Sequence, residues 1–168
     1  MIIMKLLSKF FGCLLLLTTL VSCEININGY DDDYDNEFSV ENRWYDFDDD
    51  ALYFATNDEG ETAYCLYLLP PDIRYNIAKL EFSGSGHYIM AIIRGGKKPR
   101  EGHFKVGGSA KLYYCKGNPD SPTNEYEAKR GDITIRENSD KTISVEFEFK
   151  TYRDDEVKGV FVGYVDEF

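Results

Sequence analysis

Strict alternation of apolar and polar side chains is the clearest pattern along this chain. In residues 142–150, TISVEFEFK, the isoleucine, the valine and both phenylalanines fall on one face of an extended backbone, and polar side chains fall on the other. A period of two predicts a half-buried antiparallel strand. Residues 132–136, DITIR, repeat the pattern, and the polar residues 137–141 between the two segments predict a turn. Together the two segments predict a β-hairpin.

Six further segments predict strands because they are rich in β-branched and aromatic residues and are bounded by glycine, proline or asparagine. The segment at residues 87–93, HYIMAII, is apolar on both faces and is expected to be central. A short helix could begin at residues 70–73, PPDI, because proline is tolerated in a first turn. The other five predicted strands cover residues 52–55, 63–69, 77–82, 110–115 and 157–164.

The turn signals between these segments recur at spacings typical of a β-sandwich or a barrel. Residues 51–168 are enough for one hydrophobic core and too few for two. We therefore predict an all-β protein whose single antiparallel domain, a sandwich or barrel-like sheet, covers residues 44–168.

The first 22 residues have the composition of a secretion signal. Lys5 and Lys9 supply positive charge, residues 10–21 form an apolar run, and the small residue Ser22 follows. A membrane-spanning helix needs about 20 apolar residues, whereas a signal core needs only about 7 to 15. The run therefore predicts a signal peptide that is cleaved off.

Leu20-Val21-Ser22-Cys23 resembles the lipobox of bacterial lipoproteins, whose cysteine is acylated on its sulfur and becomes the first residue after cleavage. The resemblance implies lipidation of Cys23 and an anchor of two or three acyl chains in the outer membrane. Several chains hold a protein at a membrane far more firmly than one. The alternative is a plain secretory signal with a cysteine near its end.

Acidic residues concentrate just after Cys23. Residues 24–50 hold eleven acids against Arg43 alone, whereas residues 51–168 have a net charge of only −3. Like charges at this density favour an extended, solvated chain. Residues 23–43 are therefore predicted to form a lipidated acidic tether. The net charge of the whole chain is −11, and we expect no nucleic-acid partner.

Two further resemblances bear on location. The segments GDITI at residues 131–135, ISVEFEF at 143–149 and GVF at 159–161 resemble, in content and spacing, those of small all-β Bacteroidetes lipoproteins of unknown function. That resemblance implies a cell-envelope protein and carries over no activity. Aspartates 31–33 resemble the export signal of such lipoproteins, so we expect the protein on the cell surface or on the periplasmic face of the outer membrane.

Candidate chemistry is sparse. His87 and His103 do not have the spacing of zinc ligands, and residues 83–86, SGSG, predict a turn rather than a nucleophile elbow. Residues 46–50, DFDDD, resemble the start of an EF-hand calcium loop, but the glycine and the final glutamate that such a loop needs are absent from their positions in the sequence that follows. We therefore expect no catalytic residue, metal or cofactor.

Residues 94–100, RGGKKPR, place Arg94, Lys97, Lys98 and Arg100 in one predicted turn of an otherwise acidic chain. Such a patch would bind an anionic glycan, a phosphate or the acidic tether, unless it is only a solvated hairpin tip.

Cys65 and Cys115 are the cysteines that remain once Cys13 leaves with the signal peptide and Cys23 is acylated. An exported protein can keep the two cysteines oxidised as a disulfide. That disulfide would close a long loop and stabilise the domain by about 4 kcal/mol. Two free thiols on separate strands are the alternative, and both readings stay open at this point.

These observations predict a lipid-anchored β module of the cell envelope that binds a ligand without catalysis. A glycan, a peptide and an envelope protein are the expected partners besides the membrane. A small carboxylate-based hydrolase and a structural or assembly accessory of an outer-membrane complex are the alternatives.

The lipobox gives the first testable prediction. The Cys23→Ala protein, expressed in a bacterium that processes lipoproteins, is expected to leave the membrane fraction or to stall before cleavage, because the sulfur carries the acyl chains. Fractionation and the mass of the N-terminal peptide check this. A Cys23→Ala protein that fractionates like the parent contradicts the anchor.

Overall fold

The computed structural model describes residues 36–167. All the regular secondary structure of these residues is β-strand, which confirms the predicted all-β class. None of the described residues forms a helix long and apolar enough to cross a membrane. The strands are β1 (Glu37–Val40), β2 (Arg43–Asp46), β3 (Asp50–Asp58), β4 (Glu61–Leu68), β5 (Arg74–Asn76), β6 (Glu81–Ser83), β7 (Gly86–Arg94), β8 (Gly102–Lys105), β9 (Ala110–Asn118), β10 (Ser121–Glu137), β11 (Ile143–Thr151) and β12 (Glu156–Glu167).

Seven of these strands close into a barrel-like sheet. The order is β11-β10-β9-β7-β4-β3-β12, and β12 pairs back with β11. The sheet is mixed rather than purely antiparallel, because β12 continues past β11 and runs parallel to β3, with Tyr164 opposite Asp50 and Glu167 opposite Tyr53. The prediction of a wholly antiparallel domain is wrong at this one pairing.

The predicted hairpin is confirmed as β10 and β11. Ile133 lies opposite Phe147 and Ile135 lies opposite Val145, and all four side chains are buried. β10 is much longer than predicted: its first half pairs with β9, and its second half pairs with β8 and β11. A bulge near residue 129 lies between the two halves, and bulges bend a strand.

Apolar side chains form two clusters. The main core lies on the inner face of the barrel-like sheet and includes all six apolar residues of the predicted hairpin: Ile133, Ile135, Ile143, Val145, Phe147 and Phe149. A second cluster lies on the outer face of β3, β4, β7 and β9, where the β5–β6 hairpin packs on it. The predicted helix at residues 70–73 is absent, and residues 77–80 of the predicted strand 77–82 form the turn between β5 and β6.

The domain begins earlier than predicted. β1 lies inside the segment assigned to the tether, yet it pairs with β12 along its whole length, and Phe38 is 0% exposed. The boundary at residue 44 is therefore wrong, because the alternating apolar residues Phe38 and Val40 bury their side chains while acidic neighbours stay outside. The predicted signal peptide, Cys23 and the rest of the tether lie outside the described residues.

The strand register predicts opposite effects for neighbouring residues. Phe147→Asp is expected to unfold the domain, because an unpaired buried carboxylate costs several kcal/mol against a total stability of about 5 to 15 kcal/mol. Glu148 points to solvent, so Glu148→Lys is expected to change the melting temperature little. Thermal unfolding of both variants checks this, and equal melting temperatures contradict the register.

Candidate ligand-binding surface

Arg94, from the predicted anion-binding turn, is held inside an ion cluster. Its Nε donates to Asp58 at 2.7 Å, and its guanidinium lies 2.7 Å from Glu59. Lys111 donates to the same two carboxylates, at 2.9 Å each. Hydrogen bonds from Lys111 and then Arg94 hold the pKa of Asp58 below its usual value. Arg94 therefore joins the end of β7 to β9 and to the β3–β4 turn, and it does not face a ligand.

The remaining basic residues of that turn also separate. The guanidinium of Arg100 lies 5.4 Å from the centre of the Phe104 ring, a cation–π contact. Lys97 and Lys98 are exposed, and Lys98 borders a cleft of about 350 Å³ together with Lys141. Arg94 is therefore taken up by the ion cluster, whereas anion binding by Lys97, Lys98 and Arg100 stays a prediction.

Cys65 and Cys115 are free, buried thiols. On β7, which lies between their strands, Cys65 is opposite Ile92 and Cys115 is opposite Tyr88. β4 and β9 are therefore two strand spacings apart, about 9.6 Å. A disulfide spans at most roughly 7 Å between Cα atoms, so the strand register excludes a Cys65–Cys115 disulfide. Burial raises the pKa of each thiol to about 12, which keeps both protonated and unreactive.

A concave basin of about 670 Å³ lies on the outer face of β10, β11 and β12. Its floor is a row of outward side chains across neighbouring strands: Ser39 lies opposite Lys158, Lys158 opposite Glu148, and Glu148 opposite Asp132. The basin is lined by Ser39, Glu41, Asn42, Arg130, Gly131, Asp132, Glu148, Phe149, Lys150, Asp154, Glu156, Val157 and Lys158.

The basin carries charges of both signs. Lys150 lies 3.9 Å from Asp154 and 3.8 Å from Glu156 at one side. Arg130 and Lys158 form no ion pair with any residue from 36 to 167. These two cations therefore remain available beside the floor carboxylates.

Two turns form the wall of the basin and are bonded to each other. The backbone N–H of Glu41 donates to the carbonyl of Glu156 at 3.2 Å, and the N–H of Glu156 donates to the Glu41 carboxylate at 2.9 Å. Glu41 and Asn42 have φ of +50° and +63°, the conformation of a tight two-residue hairpin turn. The β1–β2 and β11–β12 turns thus make one fixed rim.

A chain of stacked rings attaches the β1–β2 hairpin to the barrel. Each ring lies within 28° of parallel to the next, with centroids 4.2 to 5.8 Å apart. The order along the chain is Phe47, Phe38, Tyr45, His87, Tyr114 and Tyr126. Offset stacking of this kind adds about 0.5 to 1.5 kcal/mol per pair beyond the burial of apolar area. The rim of the basin is therefore fixed through the core.

Both histidines have structural contacts. Nδ1 of His87 lies 2.6 Å from the hydroxyl of Tyr114, and burial together with Lys116 lowers the pKa of His87, which favours the neutral ring. His103 lies on β8 with its Nδ1 3.0 Å from the hydroxyl of Thr134. Within residues 36–167 no three histidine, cysteine or acidic side chains are close enough together to hold a metal ion.

Sequence reasoning missed the basin because its residues come from four strands and two turns that are distant along the chain. Trp44 lies opposite Ser39 on the edge strand β2 and is 56% exposed. Residues directly opposite each other in a sheet point to the same face, so Trp44 lies on the same face as Ser39, which lines the basin. Comparison with known proteins finds no matching family model, no similar curated protein and no similar solved structure.

Proposed function

We propose that this protein is a lipid-anchored module of the bacterial cell envelope that binds a hydrophilic ligand in the basin without catalysing a reaction. The observation that carries the proposal is the basin floor, where Lys158 lies in register beside Glu148 and Asp132 inside a rim that is fixed to the core. The Cys23 lipobox supports the anchor and the outer-membrane location.

A glycan is the ligand class that fits the basin best. Sugar hydroxyls both donate and accept hydrogen bonds, so they match a floor on which Lys158 is next to Glu148. Trp44 offers an exposed indole face at the edge, and an aromatic face can pack against the apolar face of a sugar ring. A polar peptide would use the same charges but gives Trp44 no defined contact.

A carboxylate hydrolase is the second candidate, and one observation favours it. Asp132 and Glu148 lie directly opposite each other, and such residues have Cβ atoms about 4.5 to 5.5 Å apart. Their carboxyl groups can therefore approach to the roughly 5 Å that retaining glycosidases use. The Asp132 side chain is 46% exposed, however, and a general acid of this kind depends on burial to raise its pKa. We therefore propose ligand binding without catalysis in preference to hydrolysis.

The glycan proposal is tested by binding to a set of defined neutral and acidic oligosaccharides. Trp44→Ala and Glu148→Gln are each expected to weaken binding about tenfold or more, since a stacked ring or a charged hydrogen bond contributes about 1 to 3 kcal/mol. Tyr164→Ala is the control, because Tyr164 is 57% exposed and lies outside the basin.

Calorimetry measures the affinities, and product analysis of the same mixtures detects hydrolysis. Binding that is unchanged in both basin variants contradicts the proposal. Cleavage by the parent protein that stops in Glu148→Gln supports the hydrolase instead.

A further inference from the structure

The turn between β5 and β6 exposes two large apolar side chains. Ile77 is 61% exposed and Leu80 is 73% exposed, and they are the only aliphatic residues among the exposed large hydrophobics of residues 36–167. With Ala78 and Lys79 they form the sequence IAKL, called here the IAKL turn. The turn contains one lysine and no acid in a chain whose net charge is −11.

The hairpin that carries the IAKL turn is fixed to the barrel at its base. The N–H of Phe82 donates to the Asp120 carboxylate at 2.6 Å, and the side-chain amide of Asn118 donates to the carbonyl of Phe82 at 3.1 Å. Arg74, at the other strand of the hairpin, forms an ion pair with Asp48. The turn is therefore presented by a fixed support and not by a loose loop.

Leu80 has a backbone conformation that leucine disfavours. Its φ is +55°, in the left-handed region where glycine and asparagine are at ease and a residue with a branched side chain is strained. The turn is closed by the N–H of Lys79, which donates to the carbonyl and the side-chain oxygen of Asn76 at 3.2 and 3.1 Å. Packing within residues 36–167 does not account for a strained leucine that is 73% exposed, which points to a contact outside the domain.

The chain that leads to Cys23 enters the domain beside the base of the same hairpin. The side-chain amide of Asn36 lies 3.4 Å from the Asp49 carboxylate, and the neighbouring Asp48 pairs with Arg74 at the start of β5. Asn36 comes thirteen positions after Cys23. An extended chain of that length reaches at most about 45 Å, so an anchor at Cys23 allows this end of the domain to contact the membrane.

We propose that the IAKL turn inserts into the interface of a phospholipid bilayer, with Ile77 and Leu80 at the acyl boundary and Lys79 among the head-group phosphates. Lys79 lies 3.6 Å from Glu81 on an exposed surface, an ion pair that a phosphate can replace. The proposal rests on the lipid anchor of the proposed function. Two apolar side chains bind a bilayer weakly alone, but the anchor makes their insertion an intramolecular step that orients the domain.

The test uses the mature protein, purified from a bacterium that processes lipoproteins and mixed with vesicles of phosphatidylethanolamine and phosphatidylglycerol. The vesicles carry brominated acyl chains, which quench tryptophan fluorescence within the acyl region. Trp44→Phe removes the only native tryptophan. In that background Ile77→Trp is compared with Tyr152→Trp, because Tyr152 is 67% exposed but lies on the turn between β11 and β12. The Ile77→Trp protein is expected to lose most of its emission and to shift to the blue, and the Tyr152→Trp protein to change little.

Leu80→Asn gives a second, independent readout. Asparagine tolerates positive φ, so this substitution is expected to leave the melting temperature unchanged or to raise it while it reduces the quenching of the Ile77→Trp protein. If the protein stays with the vesicles but the two tryptophans are quenched equally, the turn does not enter the bilayer and this proposal fails while the anchor stands. If the mature protein does not stay with the vesicles at all, the anchor is wrong and the proposal falls with it.

Discussion

The backbone pairing of β12 is the constraint on which the rest of the structure depends. This strand bonds to β11 and β1 on opposite edges, and its last residues then bond to β3 and close the barrel-like sheet. Two glycines make the close approach feasible. A Cβ at Gly159 would lie 2.5 Å from the Cβ of Phe38, and a Cβ at Gly163 would lie 1.9 Å from the carbonyl oxygen of Asp49. Larger residues at these positions would push β1 and the start of β3 away.

The candidate ligand surface follows from the same pairing. Because β1, β12, β11 and β10 are locked in register, their outward side chains form one row in which Lys158 is followed by Glu148 and Asp132. The β1–β2 turn becomes the rim only because β1 is held on β12 and its rings stack through the core. Loss of the β12 pairing would thus remove both the floor and the wall of the basin.

The features that the sequence predicted correctly are local. The β10–β11 hairpin has a period of two on both strands and a polar turn between them, so neighbouring residues specify it. β1 was missed because Phe38 and Val40 lie among acids whose summed charge favours a solvated chain. The apolar content of residues 77–80 predicts part of a strand, whereas these residues form a turn in which Leu80 adopts a positive φ just before β6. The parallel β12–β3 pairing, the separation of the cysteines and the basin all depend on contacts between distant segments, which composition and periodicity do not encode.

The most direct test of the account is the thermal unfolding of two shortened chains. A chain that starts at Asn36 keeps β1 and the hydrogen bonds of Asn36 to the N–H and carbonyl of Val162, so it should melt like the mature protein. A chain that starts at Trp44 loses β1 and with it the buried ring of Phe38, a loss of about 3 to 5 kcal/mol for that side chain alone, and should be largely unfolded at 37 °C. Equal melting of the two chains would contradict the conclusion that β1 is held by β12 as part of the fold.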